Sequence, residues 1–319
     1  MNVRLKDELI ERGYAYREMR LDHTYRQFFM PNGKLALTMA KFYDYPFMTR
    51  TAKTISKSKA LSYEYAALHG AIVPKTLQTN DFEQAVAFLK LHGTLVVKPA
   101  GLGAGRDVTI GITTSDELKR AMTAADRHDA PPLLQEQFDG DEIRLTVLDG
   151  KVKSAIYRQS PSVVGDGQTS VKDLIANENK ARESLVFPLL TYSQLSPELI
   201  SPAFFEDDRV PAHGERIKLS TASMIRHGAS FYGITETVHP SFVTIAEKMA
   251  NGLNPPLLIV DFMVKDYTLP ATQDNSIFLE FNTSPGLEPY SSLRSGDDQR
   301  HVIGLFADLV DRYAQAYLQ

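Results

Sequence analysis

The chain contains no cysteine, which excludes disulfides, thiolate nucleophiles and Cys-ligated zinc. No apolar run approaches the roughly 20 residues that a membrane-crossing helix needs, so no membrane partner is expected. The opening MNVRLKDELIERG is charged throughout and lacks the apolar centre of a secretory signal. Excess positive charge is also missing. The formal net charge is −4 and no Lys/Arg cluster stands out, so nothing points to nucleic acid. A Gly-x-Ser-x-Gly nucleophile elbow is absent as well. The expectation left by these absences is a cytoplasmic globular protein. Its 43% apolar and 23% charged residues suffice for a core, and 319 residues allow two domains or one large domain with a lobe.

Periodicity and punctuation order the chain. Leu5, Leu9 and Ile10 suggest a short amphipathic helix, followed by strands at Tyr25–Met30 and Leu35–Phe42 around the turn Pro31-Asn32-Gly33. Helices are expected over Ser58–His69 with Gly70 as the stop, from Asp81 through Leu91 with Gly93 as the stop, and from the N-cap Ser115 to Ala125. Ile72–Thr76 reads as extended, and Thr94–Lys98 and Val108–Ile112 read as strands flanking a glycine loop. Leu133–Phe138, Ile143–Leu148 and Lys153–Arg158 are further strands, the last two joined by the hairpin signal Asp149-Gly150. The turn Gly165-Asp166-Gly167 precedes a helix at Val171–Asn179, and residues 180–216 read as loop with one helix. Strands at Ile217–Ser220 and Ala229–Gly233, a helix at Pro240–Asn251, two more strands and a helix over Gln299–Leu318 complete the order. Hairpins mix with helices, so the fold class is α+β rather than a doubly wound parallel sheet.

The segment Ile277-Phe278-Leu279-Glu280-Phe281-Asn282-Thr283-Ser284-Pro285-Gly286 carries most of the chemical signal. Glu280 and Asn282 stand two apart in a strand, so both leave the same face, at the edge of an apolar layer. A carboxylate there needs a cation or a strong donor. Leu257–Val264 carries one acid, Asp261, in a similar setting. Asp261, Glu280 and Asn282 together supply hard oxygen donors suited to Mg²⁺; the plainer alternative is a pair of solvated or salt-bridged strand-end acids.

Gly101-Leu102-Gly103-Ala104-Gly105-Arg106 fits neither familiar phosphate motif. Arg106-Asp107 stands where a Walker loop has Lys-Ser/Thr, and a strand follows where a dinucleotide fingerprint needs a helix. What remains is a strand–loop–strand whose bare amides could cover phosphate, or an ordinary hairpin turn. Lys98 ends the strand before it, where a phosphate or plain solvation would suit its charge. Glu142 and Arg144, two apart, share a face and could equally form an exposed ion pair. His239-Pro240 reads as a strand end opening a helix, and Asp166 as a turn former.

In their order these stretches resemble the ATP-grasp superfamily of carboxylate–amine ligases, above all the ATP-grasp module of cyanophycin synthetases and bifunctional glutathione synthetases. The likeness runs over roughly 55–290. It is carried by Lys59-Ala60-Leu61, Val96-Val97-Lys98-Pro99, Gln135-Glu136, Val163-Val164-Gly165-Asp166-Gly167, Val238-His239-Pro240, Asp261 and Glu280-Phe281-Asn282-Thr283-Ser284-Pro285-Gly286. The resemblance implies a short N-terminal substrate-side region over 1–55, a small lobe with the glycine loop over 56–134, and a large lobe with the metal site over 135–319. It implies ATP and Mg²⁺ (or Mn²⁺) as cofactors. Lys59 and Lys98 would hold the α- and β-phosphates, with Gly101, Gly103 and Gly105 over the triphosphate. Glu136 and Phe138 would flank adenine, Glu142 would take the ribose hydroxyls, and Asp261, Glu280 and Asn282 would hold the metal. Arg144 and Arg158 would face the γ-phosphate and the acid substrate, and Ser284 to Gly286 the amine substrate. The partners it implies are small amino-acid or peptide substrates, with a homo-oligomer allowed. One departure stands out. Ser220 occupies the place of the family's oxyanion arginine, leaving Lys218 and Arg226 as the nearby cations. The expected activity is amide-bond formation through an acylphosphate. The competing expectations are a non-catalytic ATP-binding regulator, or an ATP-grasp kinase or carboxylase.

Overall fold

Short polar side chains fix where most helices begin, and these starts set the frame of the fold. The computed structural model describes residues 3–20, 24–39, 48–100, 108–126, 131–187, 190–284, 286–296 and 299–317. Helix α1 (Val3–Glu11) buries Leu5 and Leu9, and β1 (Ala15–Arg20), β2 (Thr24–Phe29) and β3 (Leu35–Met39) form an antiparallel sheet in that order. Sequence reading omits β1, whose outer positions are charged, and the next helix, α2 (Arg50–Lys57), which is only 8 residues long with Ala52 and Ile55 as its apolar positions. Thr49 caps α2, and Ser58 caps α3 (Lys59–Leu68), which ends before Gly70 at φ +88°.

The small lobe follows: β4 (Thr76–Gln78), α4 (Phe82–His92), β5 (Leu95–Lys98), β6 (Thr109–Ile112), α5 (Ser115–Ala125) and β7 (Leu133–Glu136). Its sheet has the order β4-β7-β5-β6, and Leu89, Leu95, Val97, Leu118 and Leu134 make its core. The N-cap of α5 is Thr114, not Ser115. Thr114 accepts from the Glu117 amide while the Glu117 carboxylate accepts from the Thr114 amide, a reciprocal pair open only to the residue three before a glutamate.

The large sheet begins with β8 (Asp141–Leu148) and β9 (Lys151–Gln159), joined by Asp149 and Gly150 at φ +50° and +72°. An insert then leaves the sheet: β10 (Ser162–Val164), α6 (Val171–Glu183), β11 (Val186–Phe187), β12 (Leu190–Thr191), a 3-10 turn at Pro202–Glu206, and β13 (Arg216–Lys218). It carries its own core of Val163, Val171, Ile175, Leu195, Ile217 and Leu219. The chain rejoins the sheet with β14 (Ser230–Gly233), α7 (Pro240–Leu253), β15 (Leu257–Val264), β16 (Ser276–Asn282) and β17 (Ser295–Gly296), and ends in α8 (His301–Tyr317). The sheet order is β16-β15-β8-β9-β14-β17, all antiparallel except β14 with β17. At that parallel contact a Cβ on Gly296 would lie 2.1 Å from the Gly233 carbonyl oxygen, so the two backbones touch directly. At the other end the Phe278 amide of β16 donates to the Ile72 carbonyl at 2.6 Å.

Two cores sandwich this sheet. On one face Phe242, Met249, Phe262, Phe278 and Phe281 pack beneath α7 and α3. On the other, Ile156, Phe231, Leu257, Ile259 and Tyr290 pack against α8 together with Leu5, Leu9, Phe28 and Leu37 from the N-terminal region. The fold is α+β.

Candidate functional site

A polar band crosses four neighbouring strands on the α8-side face of the large sheet, and register alone produces most of it. Arg158 of β9 stands opposite Glu142 of β8, Arg144 of β8 opposite Asp261 of β15, and Asp261 opposite Glu280 of β16. Each register pair is complementary or bridged. Arg158 pairs with Glu142. Arg144 grips Asp261 through two bonds, Nε to Oδ1 at 2.7 Å and Nη2 to Oδ2 at 2.6 Å. Asn282 Nδ2 donates to Glu280 Oε1 at 3.0 Å and reaches Asp261 Oδ2 at 3.4 Å. Asp261 is 1% exposed, and without Arg144 that burial would be prohibitive.

A β-bulge aims the outer end of the band. Asp261 faces Glu280, yet Phe262 faces Phe278, so Leu279 is an extra residue in β16. The bulge lets Phe278 and Phe281, three apart, both enter the α7-side core while Glu280 and Asn282 turn to the other face. The sequence expectation that Glu280 and Asn282 share a face holds, as does the closeness of Asp261.

Two lysines approach Glu280 from the small-lobe side. Lys59 opens α3, and Lys98 closes β5. Lys98 Nζ donates to Gln135 Oε1 at 2.5 Å and to Tyr63 OH at 3.2 Å. Burial, joined by the like charge of Lys59 and opposed by Glu280, lowers the Lys98 ammonium to a pKa of about 7. Burial also lowers Lys59, again opposed by Glu280. Burial raises the Glu142 carboxyl above its usual range; Arg158 works against that shift and the nearby Asp261 charge adds to it. Ser223, near the end of the insert, works against the upward shift of Glu142 as well. Arg158 stacks its guanidinium 5.2 Å from the Phe231 ring centroid, and its buried Nε has no hydrogen-bond partner among the described residues.

Other expected site residues lie elsewhere. The Glu136 side chain stays within the small lobe, 3.3 Å from His92 Nδ1 and 3.4 Å from the Lys75 amide. Phe138 lies beneath Lys265, whose Nζ is 5.5 Å from the ring centroid. Lys218 does not join the Asp261 group; it bonds Asp139 at 2.8 Å and the Gly140 carbonyl at 3.0 Å. Arg226 is exposed and its Nη2 contacts Met224 Sδ at 3.4 Å, so it too stands apart. Neither cation takes the place left by Ser220. Ser284 and Gly286 follow β16 directly, while Gly101, Gly103 and Gly105 lie outside the described residues. His239 caps α7 by accepting from the Ser241 amide, and Asp166 accepts from the Gln168 and Thr169 amides, both as structural roles. Tyr63, Gln135 and Ser223 went unnoticed as site residues. Tyr63 was findable, since it lies one helical turn after Lys59.

Among the described residues, no three His, Asp or Glu side chains gather in a metal-holding cluster. The donor set is two carboxylates and one amide, hard oxygens that fit Mg²⁺ or Mn²⁺ when water and phosphate oxygens complete the shell. The Asn282 amide presents either its nitrogen or its oxygen, the two being exchangeable by a flip. A separate hollow of about 440 Å³ beneath α8, floored by Leu148 and Leu305, lies at the opposite end of β8 from Glu142, and the acids Asp149, Asp308 and Asp311 at its rim are paired with Arg312 or Arg12.

The fold is that of the ATP-grasp ligases, and the chain resembles these carboxylate–amine ligases in sequence as well. A crystal structure of a bifunctional glutathione synthetase from Pasteurella multocida superposes with a TM-score of 0.61, covering 97% of this chain and 43% of that one at 20% identity. The glutathione biosynthesis bifunctional protein GshAB of Streptococcus thermophilus is 24% identical over 253 residues, 76% of this chain and 34% of the relative. Cyanophycin synthetase of a Nostoc species is 25% identical over 252 residues, 76% of this chain and 28% of the relative. The chain thus spans about a third of the length of the curated relatives it matches. No family model matches it.

Proposed function

We propose that this chain is an ATP-dependent carboxylate–amine ligase that joins an amino acid or small peptide to an amine through an acylphosphate. One observation carries this reading above the rest: Asp261, Glu280 and Asn282 meet within hydrogen-bonding reach, and two buried lysines, both with lowered pKa, feel the charge of Glu280. Buried lysines with weakened charge gain most from a polyanion, because phosphate oxygens restore the proton that burial discourages. Lys59 and Lys98 would therefore bind the phosphates of ATP. The Glu136–Gly140 connection would offer backbone groups to the adenine, and Glu142, Ser284 and Gly286 would line the ribose and amine ends. A bound Mg²⁺ would offset charge between the terminal phosphates and the two carboxylates.

Arg144 fixes Asp261 in orientation through its two bonds. Arg158 spends Nη1 on Glu142, and its remaining guanidinium donors would face a substrate carboxylate or γ-phosphate oxygen. In the first step a carboxylate oxygen attacks the γ-phosphorus, the bond to the β-phosphate oxygen breaks, and ADP departs. In the second, the amine attacks the acyl carbon, a C–N bond forms, inorganic phosphate leaves with the C–O electrons, and the amine releases a proton. The first step brings two anions together and the second builds an oxyanion, so positioned cations lower both barriers and no nucleophilic side chain is needed. That agrees with a chain lacking cysteine.

A second reading, a nucleotide-binding protein without turnover, draws support from the placement of Lys218 and Arg226 away from the site. Phosphate release decides between the two. The ligase reading requires ADP and phosphate to appear only when both an acid and an amine are supplied, with a mass-spectrometric adduct of the two. ATP binding with no acceptor-dependent release across a panel of amino acids and small peptides would favour the second.

A further inference from the structure

The connection between the two lobes, Glu136 to Asp141, is held by a different body at almost every residue. Glu136 is tied to Lys75 and His92, and the Gln137 side chain accepts from the Gly111 amide at 2.7 Å, both within the small lobe. Phe138 lies beneath Lys265 of the large lobe. Gly140 presses on β15, since a Cβ there would lie 2.5 Å from the Val264 carbonyl oxygen. The last two grips come from the insert. On β13, Arg216 and Lys218 stand two apart and so project to one side. Arg216 pairs with Asp141, which also accepts from Tyr157 OH at 2.6 Å and the Ser160 amide at 3.0 Å. Lys218 bonds both the Asp139 carboxylate and the Gly140 carbonyl.

We propose that Arg216 and Lys218 clamp the insert, residues 160–229, onto the interlobe connection, so that nucleotide bound along that connection orders the insert, with Lys218 as the positioning residue that transmits the coupling. This rests on the reading of the connection as the adenine site. Arg216 is the fixed jaw: Asp141 is buried, and its carboxyl is held below the usual range because bonds from Arg216, Ser160 and Tyr157 outweigh its burial. Lys218 is the releasable jaw, because Asp139 is 81% exposed and its ion pair is open to water and salt.

Hydrogen exchange on the full chain with AMP-PNP and Mg²⁺ tests this. In the wild-type protein the nucleotide should slow exchange at 135–141 and also in β10 and β13 of the insert. In Lys218→Met the slowing in β10 and β13 should disappear. Loss of one exposed ion pair with its accompanying hydrogen bond should also weaken nucleotide binding by about fivefold. Lys218→Arg, which can reach the same two acceptors, should restore both, and Asp139→Asn gives a second variant if Lys218→Met folds poorly. An insert that still responds fully in Lys218→Met and Asp139→Asn would overturn the clamp, even if either variant melts at a lower temperature. A wild-type protein that takes up no AMP-PNP would overturn the adenine-site reading and the clamp with it.

Discussion

At the scale of single residues, the site is a set of charges whose burial is tolerated only because each has a partner. Glu280 is met by an amide donor from Asn282 and by the field of two lysines. Glu280→Gln should therefore leave the thermal unfolding midpoint nearly unchanged while lowering turnover by about a hundredfold to a thousandfold, as losses of single electrostatic contacts in other active sites do. Near-normal turnover would contradict the proposed role of Glu280 in holding a metal ion. Lys98 gives a pH signature. Its folded pKa of about 7 lies below the usual lysine value, so between pH 7 and about 10.5 the folded protein binds fewer protons than the unfolded one. The contribution of Lys98 to stability therefore rises with pH across that window. Binding of nucleotide phosphates should raise this pKa again, so association at pH 8 should take up protons. Calorimetry in buffers of differing ionisation enthalpy reads that uptake, and a buffer-independent heat would contradict it.

At the scale of elements, the bulge in β16 separates what the sequence makes legible from what it does not. Period two reveals that Glu280 and Asn282 share a face, and the Phe-rich run reveals that a core lies behind them. The pairing of Asp261 with Glu280, and of Arg144 with Asp261, depends on register between strands far apart in the chain, which no local pattern encodes. The helices were legible where a cap and a glycine stop bracket them, as with Asp81 and Gly93 around α4. They were not legible where the helix is short and offers only two apolar positions, as in α2. Deleting Leu279 should restore a regular ladder and force either Phe281 or Glu280 onto the wrong face. A buried phenylalanine lost from a core costs about 3–5 kcal/mol, so the deletion should lower the unfolding free energy by a similar amount in a denaturant titration. Gly140→Ala should likewise destabilise, since the methyl group would meet the Val264 carbonyl and push β8 from β15.

At the scale of the whole molecule, the N-terminal region shares a single core with the large sheet and α8 rather than standing apart. Leu5, Leu9, Phe28 and Leu37 are at most 1% exposed and pack with Val302, Phe306 and Val310. Each such side chain buried contributes about 1.5–3 kcal/mol, and a domain has only about 5–15 kcal/mol to lose. A chain beginning at Arg50 should therefore lose cooperative unfolding and bind a hydrophobic dye, whereas a freely appended region would leave the melting curve intact. This shared core was invisible in the sequence, where residues 1–50 show only a weak helix signal and two short strands, and their partner helix lies at the far end of the chain.

The large sheet, finally, is stoppered at both ends. On one side β17 is only Ser295-Gly296, laid so closely on Gly233 that no side chain fits between them; on the other, the amide of Phe278 is occupied by the Ile72 carbonyl. A row of open backbone groups is what lets one protein chain template another into fibrils, and here one edge strand is only two residues long and the other has its Phe278 amide occupied. Strand-to-strand growth from the large sheet is therefore disfavoured at the Phe278 amide and at the short β17.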